Sequence, residues 1–401
     1  MSVTHYSNKE GKTRAVLIFT IVLLNVWLNR STFFGNIHYN LTSLVNYVVI
    51  AIAMLMIPIS IPKSKAVIQK MIPIILAFGC NFLMCFSLMN RTNVNAFLGA
   101  VITMLCSAIT VIQIEKASFV KFYIRIIFTY AVISLPCYFI QICFPDFAQS
   151  LCQPGYNWTS DVGYSFFHTW GINGTIYTRN AGPFWEPGGY QCFLNIAILL
   201  LLYNVDHNGI RHRKLVLCVL FLTVLTTKST AGYIVFAIIL ITHNERIVKI
   251  LFHGHVSKQY LLIVMTIALF IISLVLLPAT YTKISDDDNE SMSMREADVA
   301  DGMIMVLKAG PFGLGETDQR NQLRYNLDLY VDDSAGLVHL TYTYGWLMGL
   351  VYLLLLTQIP KDVFGCRFIG EKIIVFTIFL IFHMTQGLWS LPLFWCLLFF
   401  F

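Results

Sequence analysis

Apolar residues run along this chain in long stretches separated by short polar turns, a spacing that predicts membrane-spanning helices. Such runs occupy 15–28, 41–61, 71–89, 94–114 and 122–144. More follow at 190–203, 215–226, 233–242, 261–278, 337–358 and 373–388. A last run, 391–401, is short against the roughly twenty residues that a bilayer requires. The expected fold is an all-α polytopic membrane protein, one integral domain over 1–401 with about 11–12 transmembrane helices. The first run has a basic flank and no small-residue cleavage site, and reads as an anchor rather than a cleaved signal.

Two long polar loops, 145–187 and 279–336, break this pattern and are expected to carry short surface helices. Loops of that length in an otherwise compact chain usually carry function. Within the second, 295–308 has helical, half-apolar character and is expected to lie along the membrane surface. A glycine-rich turn, 310–315, ends it; no Gly-Lys-Ser/Thr follows, so it is not a nucleotide-binding P-loop. The acidic stretch 286–290 reads as a solvated tip, because its spacing fits no calcium loop.

Composition agrees with the pattern: 57% of residues are hydrophobic and only 12% charged, against about a quarter charged in soluble domains. Charge then gives an orientation. With the N-terminus cytoplasmic, the inner turns collect 18 of the 27 basic residues, and the outer side receives 15 of the 21 acidic ones. The net charge of +6 is therefore a topology signal, not a nucleic-acid footprint. The apolar runs hold few ionisable groups, chiefly Arg125 near the inner face and His383 near an outer end, which argues against an ion-driven transporter. The ten cysteines sit mostly alone in apolar runs; a Cys143–Cys152 bridge in an oxidising compartment is left open. No metal-ligand spacing occurs, and no cofactor is implied.

The chemistry gathers at the outer loops. Residues 179–190 join a polar loop to an apolar run through two prolines and three glycines. They hold Arg179 and Glu186 between aromatic rings at the bilayer edge. A cation there suits an anionic group on a membrane-borne substrate, such as a lipid phosphate; a connector with a snorkelling arginine is the plainer reading. Lys228 falls at an outer hairpin tip, where Ser229 or Thr230 can cap the next helix and so favour a phosphate. Arg320 and Arg324, one helical turn apart, can face one anion or simply stay solvated.

These features, in this order, resemble the O-antigen polymerases and O-antigen ligases of bacterial envelopes over roughly 120–395. The points of likeness are residues 179–188 before a span, the Thr-Lys-Ser turn at 227–229 and the long outer loop with Arg295. Within and after that loop come the Pro-x-Gly-x-Gly of 311–315 and a span with Gly345 and Gly349. The resemblance implies that Arg179 and Arg295, with Lys228 in a lesser role, bind the diphosphate of an undecaprenyl-linked oligosaccharide. Many such ligases carry a histidine about a dozen residues before the glycine pair. Here Asp332, Asp333 and Ser334 occupy that neighbourhood and His339 lies closer to Gly345, which favours a polymerase. Glu186, Asp333 and His339 are the candidate general bases. The implied setting is the bacterial inner membrane, with membrane lipid around the chain and a chain-length regulator and a flippase as pathway partners. An O-antigen ligase, a lipid-linked oligosaccharide flippase or transporter, and a non-catalytic scaffold are the alternative readings.

Overall fold

A computed structural model describes residues 3–27, 61–89, 94–154, 162–165, 167–172, 177–203, 210–252, 290–315, 318–329 and 335–400, with isolated positions within 48–55 and 262–273. In chain order the helices begin with α1 (Val3–Trp27), α2 (Ile61–Met89), α3 (Val94–Gln113), α4 (Lys116–Cys143) and α5 (Pro145–Ser150). Three short strands follow, β1 (Gln153–Pro154), β2 (Val162–Tyr164) and β3 (Thr169–Gly171). Next come α6 (Pro187–Tyr203), α7 (Arg213–Thr227), α8 (Thr230–Thr242) and α9 (Asn244–Phe252). The last part holds α10 (Glu290–Ala309), α11 (Asp318–Asn326), α12 (Gly336–Tyr344), α13 (Trp346–Leu356), α14 (Ile359–Asp362), α15 (Ile369–Thr385) and α16 (Pro392–Phe399). The chain is thus predominantly helical, and it packs as two compact units, 1–52 with 114–282, and 53–113 with 283–401.

The first unit is built round α6. Every residue of that helix from Pro187 to Leu202 is buried, as expected of a helix that is apolar on all sides. α4, α7 and α8 pack against it, and the Tyr123 hydroxyl donates to the Phe193 carbonyl at 2.9 Å. The three strands form one antiparallel sheet in the order β1-β2-β3, with Gly163 opposite Trp170. This sheet was not expected in a loop assigned only short helices. Its strands are two or three residues long, too short to show an alternating pattern. Tertiary bonds hold them instead: Gln141 of α4 accepts from the Gly171 amide at 2.9 Å. Cys143 and Cys152 are free thiols, so the bridge left open by the sequence is not formed.

In the second unit α10 packs on α12, α13 on α2, and α16 on α3. Lys70 of α2 is its fixed point. Its ammonium pairs with Asp362 at 2.7 Å, and it also donates to the Leu398 and Phe400 carbonyls at the end of α16. One cation thereby satisfies a carboxylate and the orphan carbonyls of a helix terminus. Lys70→Met is expected to lower stability by about 3 kcal/mol, because it leaves Asp362 half-buried and unpaired. A fall in the thermal midpoint that the Lys70→Met/Asp362→Asn double variant largely restores checks this assignment.

Two described segments, Lys63–Phe86 and Lys116–Cys143, are long and apolar enough to cross a bilayer; 14–26, 97–113, 187–203 and 230–242 are apolar but shorter. The runs 41–61 and 261–278 lie mostly outside the described residues. The run 337–358, expected as one helix, is divided into α12 and α13 at Gly345. The reason is local: Gly345 has φ +94°, and a Cβ there would meet the Pro311 carbonyl oxygen at 2.2 Å. Many outward faces are apolar. On α13 Leu347, Leu350 and Leu354 are exposed at helical spacing, and on α2 Ile68, Ile72, Ile75 and Leu76 are exposed likewise.

Candidate functional site

In the first unit, the turn from Tyr177 to Glu186 is held from three sides. Gln141 donates its amide to the Tyr177 and Arg179 carbonyls, and Tyr138 donates to Thr178 at 3.2 Å. From the sheet, Thr169 donates its amide to Gly182 at 2.6 Å and its hydroxyl to Phe184 at 2.7 Å. Asn180, wholly buried, donates to Thr226 and Ser134 and accepts from the Gly182 amide at 2.9 Å. Gly182 is required there: its φ is +53° and a Cβ would sit 2.5 Å from the Tyr190 ring. Phe184 closes the turn against α6, its ring 4.2 Å from that of Phe193.

Arg179 is the half-buried cation of this turn, and its Nε donates to the Thr227 carbonyl at 3.3 Å. The next residue, Lys228, is exposed and left-handed at φ +47°, forming the tip between α7 and α8. Ser229 then caps α8 by accepting from the Gly232 amide at 3.3 Å, one of the two caps the sequence offered. The Arg179 guanidinium is thus tied to the residue before Lys228, and the positive end of the α8 dipole follows directly in sequence. Glu186 lies on the same turn, half-buried, immediately before α6.

His168, on the loop before β3, is a residue the sequence did not single out. It is wholly buried with its ring 4.8 Å from Trp170, and neither ring nitrogen has a hydrogen-bond partner among the described residues. Burial pushes its pKa down from 6.5 to about 3. The unfolded chain therefore takes up this proton first as pH falls. The stability that neutral His168 contributes is therefore expected to be present above pH 6.5 and to fall below it by about 1.4 kcal/mol per pH unit. Between pH 6.5 and about 5 the loss is expected to be about 2 kcal/mol. Unfolding midpoints followed across that range should be flattened by His168→Phe; an unchanged slope would assign the pH dependence elsewhere.

The second unit holds the remaining predicted residues. Arg320 of α11 places Nη1 at 3.3 Å from His339 Nε2 and donates to the Thr343 hydroxyl at 3.5 Å. A guanidinium only donates, so this His339 nitrogen accepts. Arg324 is half-buried one turn along α11. The 310–315 turn lies on the α12–α13 break: Leu314 and Gly315 donate their amides to the Tyr342 and Thr343 carbonyls at 3.0 and 2.7 Å. Asn81 adds bonds to the Phe312 and Thr343 carbonyls at 2.5 and 3.0 Å. Asp298, buried in α10, accepts from the Ala335 amide at 2.8 Å and so anchors the start of α12. Asp298 was not among the residues singled out from the sequence. Arg295 falls within α10 with its side chain outside the described residues, and Asp333 lies wholly outside them. Arg179, Glu186 and Lys228 thus belong to one unit, and Arg320, Arg324 and His339 to the other.

Comparison with protein families, curated proteins and solved structures finds no match to this chain.

Proposed function

We propose that this chain is a multi-pass glycosyltransferase of the bacterial inner membrane that polymerises undecaprenyl-diphosphate-linked oligosaccharide repeat units into O-antigen or a related surface polysaccharide. The observation that carries the reading is the bond from Arg179 to the residue before Lys228, with the capped start of α8 following directly, beside a helix buried from Pro187 to Leu202. Exposed apolar faces such as Leu347, Leu350 and Leu354 support a lipid setting, since soluble surfaces rarely expose such stripes. The resemblance to O-antigen polymerases supplies the substrate class.

The chemistry follows from the leaving group. An acceptor sugar hydroxyl attacks the anomeric carbon of the donor, and its proton passes to a base. The bond from that carbon to the diphosphate breaks, releasing undecaprenyl diphosphate. Charge grows on the diphosphate as the bond breaks, and a guanidinium held at a water-poor edge stabilises it. Glu186, on the same turn as Arg179, is the candidate base within the first unit. His339 is the weaker base, because Arg320 occupies its Nε2.

Gene deletion tests the polymerase reading. Loss of the chain is expected to leave surface lipopolysaccharide carrying a single repeat, because a separate ligase still acts. Bare core with long chains retained on undecaprenyl diphosphate would instead make the chain a ligase. Unchanged lipopolysaccharide would overturn both.

A further inference from the structure

α6 and α7 run from the Arg179 turn to a second basic region at their far ends. There α6, α7 and α9 surround a cavity of about 1100 Å³. Arg213 and Lys214 line it from the first turn of α7, and Arg246 and Lys249, one turn apart, line it from α9. No carboxylate is among the described residues that line it. The general basic bias of inner loops explains a positive end, but not four cations ringing one hollow.

The hollow is also built rather than merely charged. The Arg246 guanidinium lies 4.1 Å over the Tyr203 ring, and His243 meets the Tyr203 hydroxyl at 2.8 Å, which fixes both aromatic and cation. α7 starts here, and its N-cap, His212, makes no side-chain cap hydrogen bond. First-turn amides of a 15-residue helix therefore add to the positive field. An apolar path leads away: Leu215 and Cys218 line the cavity, and Leu222 continues the same face of α7. Leu215 is 55% exposed and Leu222 48%, so the path faces outward.

A cationic hollow opening onto an apolar helix face matches a molecule with an anionic head and a hydrocarbon tail. We propose that this cavity binds the phosphate of an anionic phospholipid, with an acyl chain along Leu215, Cys218 and Leu222. The shared chemistry is a phosphate among guanidinium and ammonium groups; the apolar path assigns it to a lipid rather than to free phosphate. The proposal rests on the membrane part of the reading above, not on glycosyl transfer.

The test begins with alkaline carbonate extraction of membranes carrying the full chain. Retention is expected; release into the soluble fraction would overturn the membrane premise itself. The purified chain in neutral detergent is then unfolded thermally with added phosphatidylglycerol, phosphatidylcholine or sodium phosphate. Phosphatidylglycerol alone is expected to raise the midpoint. Arg213→Gln/Arg246→Gln should abolish the shift. The milder Lys249→Gln, at an exposed position, should raise the lipid concentration for half the shift about fivefold. An equal shift with phosphatidylcholine, a shift with sodium phosphate alone, or an undiminished shift in both variants would overturn the proposal.

Discussion

Arg179→Lys is expected to slow release of undecaprenyl diphosphate from a lipid-linked donor by roughly a hundredfold, at normal protein level. The guanidinium is held by its Nε bond to the Thr227 carbonyl, 3.3 Å away, beside Lys228 and the start of α8. A lysine keeps the charge and loses the planar fork that matches two phosphate oxygens, and it cannot repeat the Thr227 contact in the same orientation. The surrounding turn should survive, because Asn180, Gln141 and Thr169 hold it through other atoms. Initial rates on purified protein check this. A wild-type rate in Arg179→Lys would remove Arg179 from donor binding.

Gly345→Val is expected to have the largest effect on folding, a loss of about 4 kcal/mol or more, read as aggregation on detergent size exclusion. Two independent costs combine. The residue sits at φ +94°, and its Cβ would lie 2.2 Å from the Pro311 carbonyl oxygen. The 310–315 turn has no room to withdraw, since Gly313 faces the Gly345 amide at 2.4 Å from its own would-be Cβ. Gly370→Ala is the matched control, because a Cβ there meets nothing within 4 Å. Normal elution of Gly345→Val would contradict the packed turn.

Local signals carried the parts of this structure that were legible in the sequence. The Thr-Lys-Ser-Thr turn ends one apolar run and opens another, and Ser229 caps as its residue type predicts. The half-apolar stretch 295–308 lies within α10, and the glycines of 310–315 adopt positive φ at Gly310, Gly313 and Gly315. What stayed hidden depends on contacts distant in sequence. Apolar residues continue across Gly345, so hydropathy alone reads one helix where the Pro311 turn forces two. Gln141 falls inside the apolar run 122–144, yet it is the amide that ties β3 to the Arg179 turn. A buried carboxamide in such a run was the available signal. The spacing of Arg320 and Arg324 leaves open a shared anion or two solvated side chains, and it gives no sign of the His339 contact that Arg320 makes at 3.3 Å. The contact between Arg179 and Thr227 spans 48 residues and left no trace in local pattern.

Polymerisation by the chain alone is decided by reconstitution. Purified chain in vesicles is given an undecaprenyl-diphosphate-linked repeat unit, and the products are resolved by chain length. A ladder of polymers on the lipid is expected, with one undecaprenyl diphosphate released per bond formed, and the ladder should be lost in Arg179→Ala. An unchanged single repeat with well-folded protein, or a ladder that persists in Arg179→Ala, would contradict the proposed function.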